Sequence, residues 1–243
     1  YSDMPAPHYI SKMVENDEAV YPENFSSTHK KEQNEIVEQQ VLCEPTYDYQ
    51  LIGQIHATYL MIQTRDGIVM IDQHAAHERI LYEEFVRYDR NIPSSRLIFP
   101  QLIQFSEYDC KSLIPLIPIF ERHGIILESF NATHIRVQAL PVTLKNCNIE
   151  DCIRSLMKIF EDRSLIDGLG LEDVAVRFND KIRTMMACKA AIKKGDTLND
   201  QQMHALIKKL YETPHRTTCP HGRPTCWPLT LTEIEKKFKR DYR

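Results

Sequence analysis

The chain has 243 residues, enough for one or two domains with a sizeable core, and its 42% hydrophobic and 26% charged content excludes a disordered or fibrous protein. A formal net charge of -4 excludes a protein that coats nucleic acid through bulk positive charge, while leaving room for a local basic surface. No run of about 18 apolar residues is present, so nothing reads as a membrane-spanning helix.

Seven cysteines (43, 110, 147, 152, 188, 219 and 226) have no regular spacing and no Cys-x-x-Cys pair. They read as reduced thiols in a cytosolic setting rather than as a disulfide framework or a common structural zinc module. A start at Tyr1, without methionine or a signal-like apolar core, reads as a fragment of a cytosolic protein.

Residues 1–45 carry Pro5, Pro7 and Pro22 and the polar run Ser26–Gln33, which predicts a linker or tail with a short helix over 31–40. Structure is expected from Tyr47. Leu51–Ile55 and Thr58–Ile62 read as strands, and Asp66-Gly67 as a hairpin turn into the β-branched run Ile68–Ile71. Good helix formers then run from Gln73 to about Arg87 without Gly or Pro, which places Asp72 at a strand-to-helix junction where its carboxylate faces the helix N-terminus.

Arg96–Pro100 and Gln101–Phe105 read as extended. Leu113–Phe120 is apolar but interrupted by Pro115 and Pro118, so a helix there is kinked or begins at a proline, and Gly124 stops it. Ile125–Leu127 and His134–Val137 flank the hairpin turn Asn131-Ala132-Thr133, and Asn148 caps a helix whose apolar positions follow a 3.6-residue period. A longer helix is predicted from Leu171 to Lys194, ending at Gly195-Asp196, and another from Asp200 to Tyr211. Cys226–Leu229 reads as a short strand, and Thr232 with Glu235 as the capping box of a last helix ending near Phe238.

The chemistry concentrates in Asp72-Gln73-His74-Ala75-Ala76-His77-Glu78-Arg79-Ile80-Leu81-Tyr82-Glu83. His74 and Glu78 are four apart and share one helix face, so both can hold one metal ion; solvated polar residues on an amphipathic helix give the same pattern. Two other segments offer soft ligands. Cys188 lies in Ala187–Lys193, where an ordinary buried thiol is the competing reading. Cys219-Pro220-His221-Gly222-Arg223-Pro224 sets a thiol and an imidazole one residue apart in a loop restrained by prolines, where His221 could equally serve as a cap or a core hydrogen-bonding group. Together the three segments supply carboxylate, imidazole and thiolate, the mixture that zinc or manganese sites use.

These segments together resemble the C-terminal domain of MutL-family DNA mismatch-repair proteins, of the kind that carries a latent endonuclease. The family's Asp-Gln-His-Ala, two residues, Glu, four residues, Glu motif matches Asp72, Gln73, His74, Ala75, Glu78 and Glu83. Its Ala-Cys-(Arg/Lys) segment matches Ala187-Cys188-Lys189, its Cys-(Pro/Asn)-His-Gly-Arg-Pro segment matches Cys219–Pro224, and its Phe-x-Arg ending matches Phe238-Lys239-Arg240. The resemblance covers about residues 46–240 and points to the bacterial, homodimeric branch.

By that resemblance, His74, Glu78, Cys188, Cys219 and His221 would be metal ligands for Zn2+ and/or Mn2+, and Asp72 and Glu78 would be catalytic, Asp72 as a catalytic or second-metal carboxylate. Gln73 would have a structural or supporting role. So would Glu83, about 140° round the helix from Glu78, and His77 would be a bystander. Lys189, Lys193 and Arg223 could contact phosphates. The family's clamp-binding segment, Gln-x-Leu-(Leu/Ile)-x-Pro, has its counterpart in Ser95–Pro100, with Leu97, Ile98 and Pro100 as the contacts and Ser95 lacking the amide that would fill a clamp pocket. Gln101–Phe105 is an alternative that also reads as an ordinary strand.

The implied activity is metal-dependent nicking of one strand of duplex DNA by phosphodiester hydrolysis, latent without an N-terminal ATPase region and sliding clamp. ATP would enter only through that region, because this chain has no phosphate-cradling Gly loop. The implied partners are a second copy of the chain, duplex DNA, the sliding clamp and a mismatch-recognition protein, with no membrane; the implied location is the bacterial cytoplasm, at the nucleoid. A dimerisation module with structural or regulatory zinc and no cleavage of its own is the alternative, with Phe85, Leu206, Leu210 and Trp227 at the subunit interface; a metal-free interaction domain is a third. The expected fold is mixed α/β (α+β) and two-lobed. The resemblance divides it into a β-rich dimerisation lobe over 46–94 plus 187–243 and an inserted outer α/β regulatory lobe over 95–186.

Overall fold

The computed structural model describes residues 48–89, 91–160 and 168–240; the tail expected over 1–45 and the helix over 31–40 lie outside these. The fold is a mixed α/β arrangement built on two antiparallel sheets.

The first sheet has the order β1 (Gln50–Ile55), β2 (Tyr59–Thr64), β3 (Gly67–Asp72), β7 (Cys226–Thr230). Its first three strands form a meander, and β7 returns from the far end of the chain to pair with β3. Gly67 permits that closure. Its φ is +147°, and a Cβ there would sit 2.2 Å from the Leu229 carbonyl oxygen.

Period-two alternation sends Leu60, Ile62, Val69 and Ile71 to one face of this sheet, where they pack with Ala76, Ile80, Met203, Leu206, Ile207 and Leu210 from two helices, α1 (Gln73–Tyr88) and α6 (Asp200–Glu212). The opposite face carries Ile52, Tyr59 and Trp227, all substantially exposed, with Met61, Met70 and Trp227 in register across three strands.

The second sheet, order β4 (Ser94–Gln104), β6 (His134–Pro141), β5 (Ile126–Asn131), belongs to a separate hydrophobic cluster. That cluster gathers α2 (Glu107–Leu113), α3 (Ile117–Arg122), α4 (Ile149–Lys158) and α5 (Leu171–Ala190) around Ile103, Phe120, Ile135, Phe160 and Phe178. Pro115 and Pro118 break the apolar run as expected: Ile114–Leu116 is a 3-10 turn, and α3 starts with proline in its first turn. α2 was not foreseen, although Ser106 signals it by capping the Asp109 N–H. A short α7 (Leu231–Lys237) follows β7.

α1 stands between the two cores. Ala76 and Ile80 face the first sheet, while Leu81 and Phe85 enter the second cluster. A helix held on two sides has little freedom to slide, so polar groups on its first two turns are fixed in place.

Three expectations need correction. Phe85, Leu206 and Leu210 are 1%, 5% and 0% exposed and belong to intramolecular cores; of the four residues named for an interface, only Trp227, 58% exposed, can meet a partner. The last helix is capped two residues earlier than expected, by Thr230 with Glu233, because Thr230 is where β7 ends. The long helix ends at Ala190 rather than Lys194, for a reason that lies in α1.

Candidate metal centre

Asp72 ends β3 and caps α1. Its Oδ1 accepts from the backbone N–H groups of His74 and Ala75, each at 3.0 Å, as the strand-to-helix junction implied. One turn into the helix, His74 and Glu78 come together with Nε2 of the imidazole 3.0 Å from Oε1 of the carboxylate. Glu78 is fully buried. Its other oxygen, Oε2, lies 2.7 Å from a guanidinium nitrogen of Arg223 and 3.3 Å from Nδ1 of His221.

Burial alone would push the Glu78 carboxyl up. His74, the Cys188 thiol, His221 and Arg223 more than offset this and hold it below the ordinary glutamate value, so it is an anion at neutral pH. Burial, followed by the Glu78 carboxylate, pushes the Cys188 thiol up.

The candidate ligands fall into two overlapping groups. His74, Glu78 and Cys188 have donor atoms within 4.8 Å of one another, and so do Glu78, Cys219 and His221. Glu78 is common to both. The five residues foreseen from sequence therefore meet as two triads hinged on one carboxylate, and Asp72 belongs to neither.

The donor set fits a divalent ion on a specific observation. Nδ1 of His74 lies 2.8 Å from the Ile192 carbonyl oxygen, which can only accept, so Nδ1 carries a proton and Nε2 is the ring nitrogen that faces Glu78. Glu78 Oε1 lies against that Nε2 at 3.0 Å, and the Cys188 thiol is a further neighbour of the carboxylate. Imidazole, carboxylate and thiol thus converge within reach of one point, the donor mixture that zinc and manganese sites use.

The loop carrying Cys219 and His221 is pinned by its own backbone: Cys219 N–H donates to Arg223 O and Gly222 N–H to Cys219 O, both at 2.8 Å, with Gly222 at φ +81°. Arg79 secures it from α1. Its Nε donates to the Thr218 carbonyl at 2.6 Å and Nη1 to Glu83 Oε1 at 2.8 Å, so Glu83, which is in neither triad, steadies Arg79.

Gln73 is buried and donates through Nε2 to the carbonyls of Ala57, Lys193 and Asp196 at 3.0, 3.1 and 3.1 Å. With His74 on Ile192 O and His77 accepting from Ile192 N–H, it draws residues 192–196 onto α1, and this is why α5 ends early. His77 is thus no bystander. Burial, with Lys209 and His74 nearby, pushes its pKa down to about 4. No sequence signal marks Ile192 as its partner.

Of the candidate phosphate contacts, Lys189 is engaged with Asp151 at 2.6 Å, Arg223 is engaged with Glu78, and Lys193 is exposed. In the clamp-type segment, the β4–β6 register breaks between Arg96 and Gln101. There Ile98 and Phe99 are 90% and 86% exposed, whereas Leu97 turns inward to pack on the second core.

Two antiparallel sheets, an outward apolar sheet face and a buried mixed-ligand centre define a mixed α/β association domain with a candidate metal site. Residues 52–198 match the family described as the MutL C terminal dimerisation domain, a span that contains Asp72–Glu83 and Cys188 and ends before Cys219. The chain belongs to the MutL family and carries its C-terminal dimerisation domain. Among relatives called DNA mismatch repair protein MutL, it is 31% identical to that of Thermoanaerobacter sp. (strain X514) over 227 residues, covering 93% of this chain and 35% of the relative. It is 35% identical to that of Mesorhizobium japonicum and 34% identical to that of Bartonella quintana, each over 190 residues and 77% of this chain, covering 29% and 30% of the relatives. The chain thus spans about a third of the length of the curated relatives it matches. Among the described residues no helix is long and apolar enough to cross a membrane.

Proposed function

We propose that this domain works in DNA mismatch repair as a homodimer that nicks one strand of duplex DNA with divalent metal ions held by His74, Glu78, Cys188, Cys219 and His221. The observation that carries this reading is the buried Glu78 carboxylate shared by two candidate ligand triads. Zn2+ and Mn2+ fit the imidazole, carboxylate and thiolate donors. When bound, such ions neutralise charge on the phosphate oxygens and lower the cost of deprotonating an attacking water.

The chain's own residues supply the rest. His74 is locked by Ile192 in the tautomer that leaves Nε2 free. Asp72 caps α1 through Oδ1, which holds its carboxylate at the start of the helix that carries His74 and Glu78, and in this reading it is the catalytic carboxylate. Arg223, exposed beyond Glu78, and Lys193 lie where a phosphate can approach from solvent. The exposed Ile98–Pro100 segment of β4 is the surface for a sliding clamp, and contacts with a mismatch-recognition protein and with an ATPase region belong to the same assembly.

The homodimer uses the outer face of the first sheet. Ile52, Tyr59, Met61, Met70 and Trp227 form an apolar surface on a domain whose family associates, and unpaired sheet faces of that kind are covered by a partner.

The test is relaxation of supercoiled DNA with manganese by the full-length protein. Asp72→Asn and Glu78→Lys should stay folded and lose nicking, while retained nicking in both removes the catalytic assignment. Cys219→Ala separates the alternative of a structural zinc: a folded dimer without nicking supports catalysis, and loss of fold supports a structural ion.

A further inference from the structure

The chain leaves α5 at Ala190 and is met two residues later by two imidazoles. The Ile192 N–H donates to Nδ1 of His77 at 3.0 Å, and the Ile192 carbonyl accepts from Nδ1 of His74 at 2.8 Å. His74 and His77 are three apart on α1, so their rings are neighbours on one side of the helix. Both backbone groups of Ile192 face α1 and are used, one by each ring.

The two rings do different work. His74 offers Nε2 to the Glu78–Cys188 group and must keep Nδ1 protonated to do so. That proton is held by the Ile192 carbonyl, and the Ile192 peptide is held in turn by His77, which is in neither ligand triad. Ile192 also follows Cys188 by only four residues, so whatever fixes Ile192 fixes where α5 delivers its thiol.

We propose that His77 is a positioning residue of the metal centre: through the Ile192 peptide it sets the tautomer and orientation of His74 and the placement of Cys188. The inference rests on the metal-site reading above and adds a residue that touches no ion. Groups that orient a ligating histidine typically change metal affinity by about 10- to 100-fold when removed. An acceptor at the place of Nδ1 is what the position requires. Asparagine supplies one, with its side-chain oxygen close to where Nδ1 stands; alanine supplies none; glutamine carries its amide one bond further out.

The experiment is Co2+ titration of the whole domain, read by the thiolate-to-cobalt absorption, with hydrogen exchange at the Ile192 amide as a second readout that needs no metal. His77→Ala is expected to weaken Co2+ binding about 10-fold or more, alter the absorption, and speed exchange at Ile192; His77→Asn is expected to restore all three toward wild type. Equal affinity and spectrum in wild type and His77→Ala overturn the proposal, as does an Asn variant no better than Ala. Where His77→Ala does not fold, the comparison of Asn with Gln decides: Asn must bind Co2+ clearly more tightly than Gln, and equal binding overturns the proposal. Absence of any cobalt–thiolate absorption in wild type contradicts the metal-site reading itself, an outcome distinct from these.

Discussion

Glu78 is a carboxylate placed where water cannot reach it, and it stays charged only because His74, His221, Arg223 and Cys188 surround it. The sequence spacing put His74 and Glu78 on one face, and the family motif named the remaining candidate ligands. Neither could reveal that Glu78 is the residue both triads share, because that depends on how the end of α5 and the Cys219–His221 loop, each more than a hundred residues away, approach α1.

At the same scale, His123 was invisible in the sequence. It closes α3 and is buried beside Arg183, with Asn179 as a hydrogen-bonding neighbour of the ring. Burial, with the Arg183 cation next, pushes its pKa down to about 4. The unfolded chain takes up this proton near the ordinary value of about 6.5, so His123 leaves stability unaffected above that pH. Between about 6.5 and 4 the unfolded state binds a proton the folded state refuses, and stability falls by up to about 3 kcal/mol. His123→Leu should therefore lose less unfolding free energy than wild type between pH 7 and pH 4.5 in urea titrations; parallel pH profiles for the two proteins would refute the assignment.

Elements were legible where the pattern is local. The meander of β1 to β3, the proline-broken helices and the Asn148 cap follow from alternation, turn chemistry and capping, all of which act within a few residues. The end of α5 was not, since helix formers continue past Ala190 and the helix is stopped by side chains of α1. Gln73 is the buried member of that latch. Removing it takes one donor from each of the carbonyls of Ala57, Lys193 and Asp196, which keep the Gly195 N–H, the Asp196 N–H and Gln54 Nε2 respectively. Gln73→Ala should cost roughly 1 kcal/mol in equilibrium urea denaturation, with the loss of a buried donor shared by three carbonyls as its cause. A cost under about 0.5 kcal/mol would mean that the turn over 192–196 is held by something else.

Across the whole molecule, fold class followed from alternating short strands and helices, whereas the surface left for a partner did not. Phe85, Leu206 and Leu210 are strongly apolar and read as candidates for an interface, yet two internal cores consume them. What remains outward is the sheet face on which Met61, Met70 and Trp227 align across three strands. A charge introduced on such a face is buried against the partner's apolar surface in a symmetric dimer, twice per dimer. Trp227→Glu is expected to sediment as a monomer with an unchanged circular dichroism spectrum, while a dimer of wild-type strength would move the interface elsewhere.

The shared role of Glu78 is tested most directly by native mass spectrometry of the domain after equilibration with Zn2+ or Mn2+, compared with Glu78→Gln at the same concentrations. Retention of bound ion by the wild-type chain and its loss from both triads at once in the folded variant is the result predicted. A wild-type chain that retains none, or a variant that keeps the full complement, would contradict it.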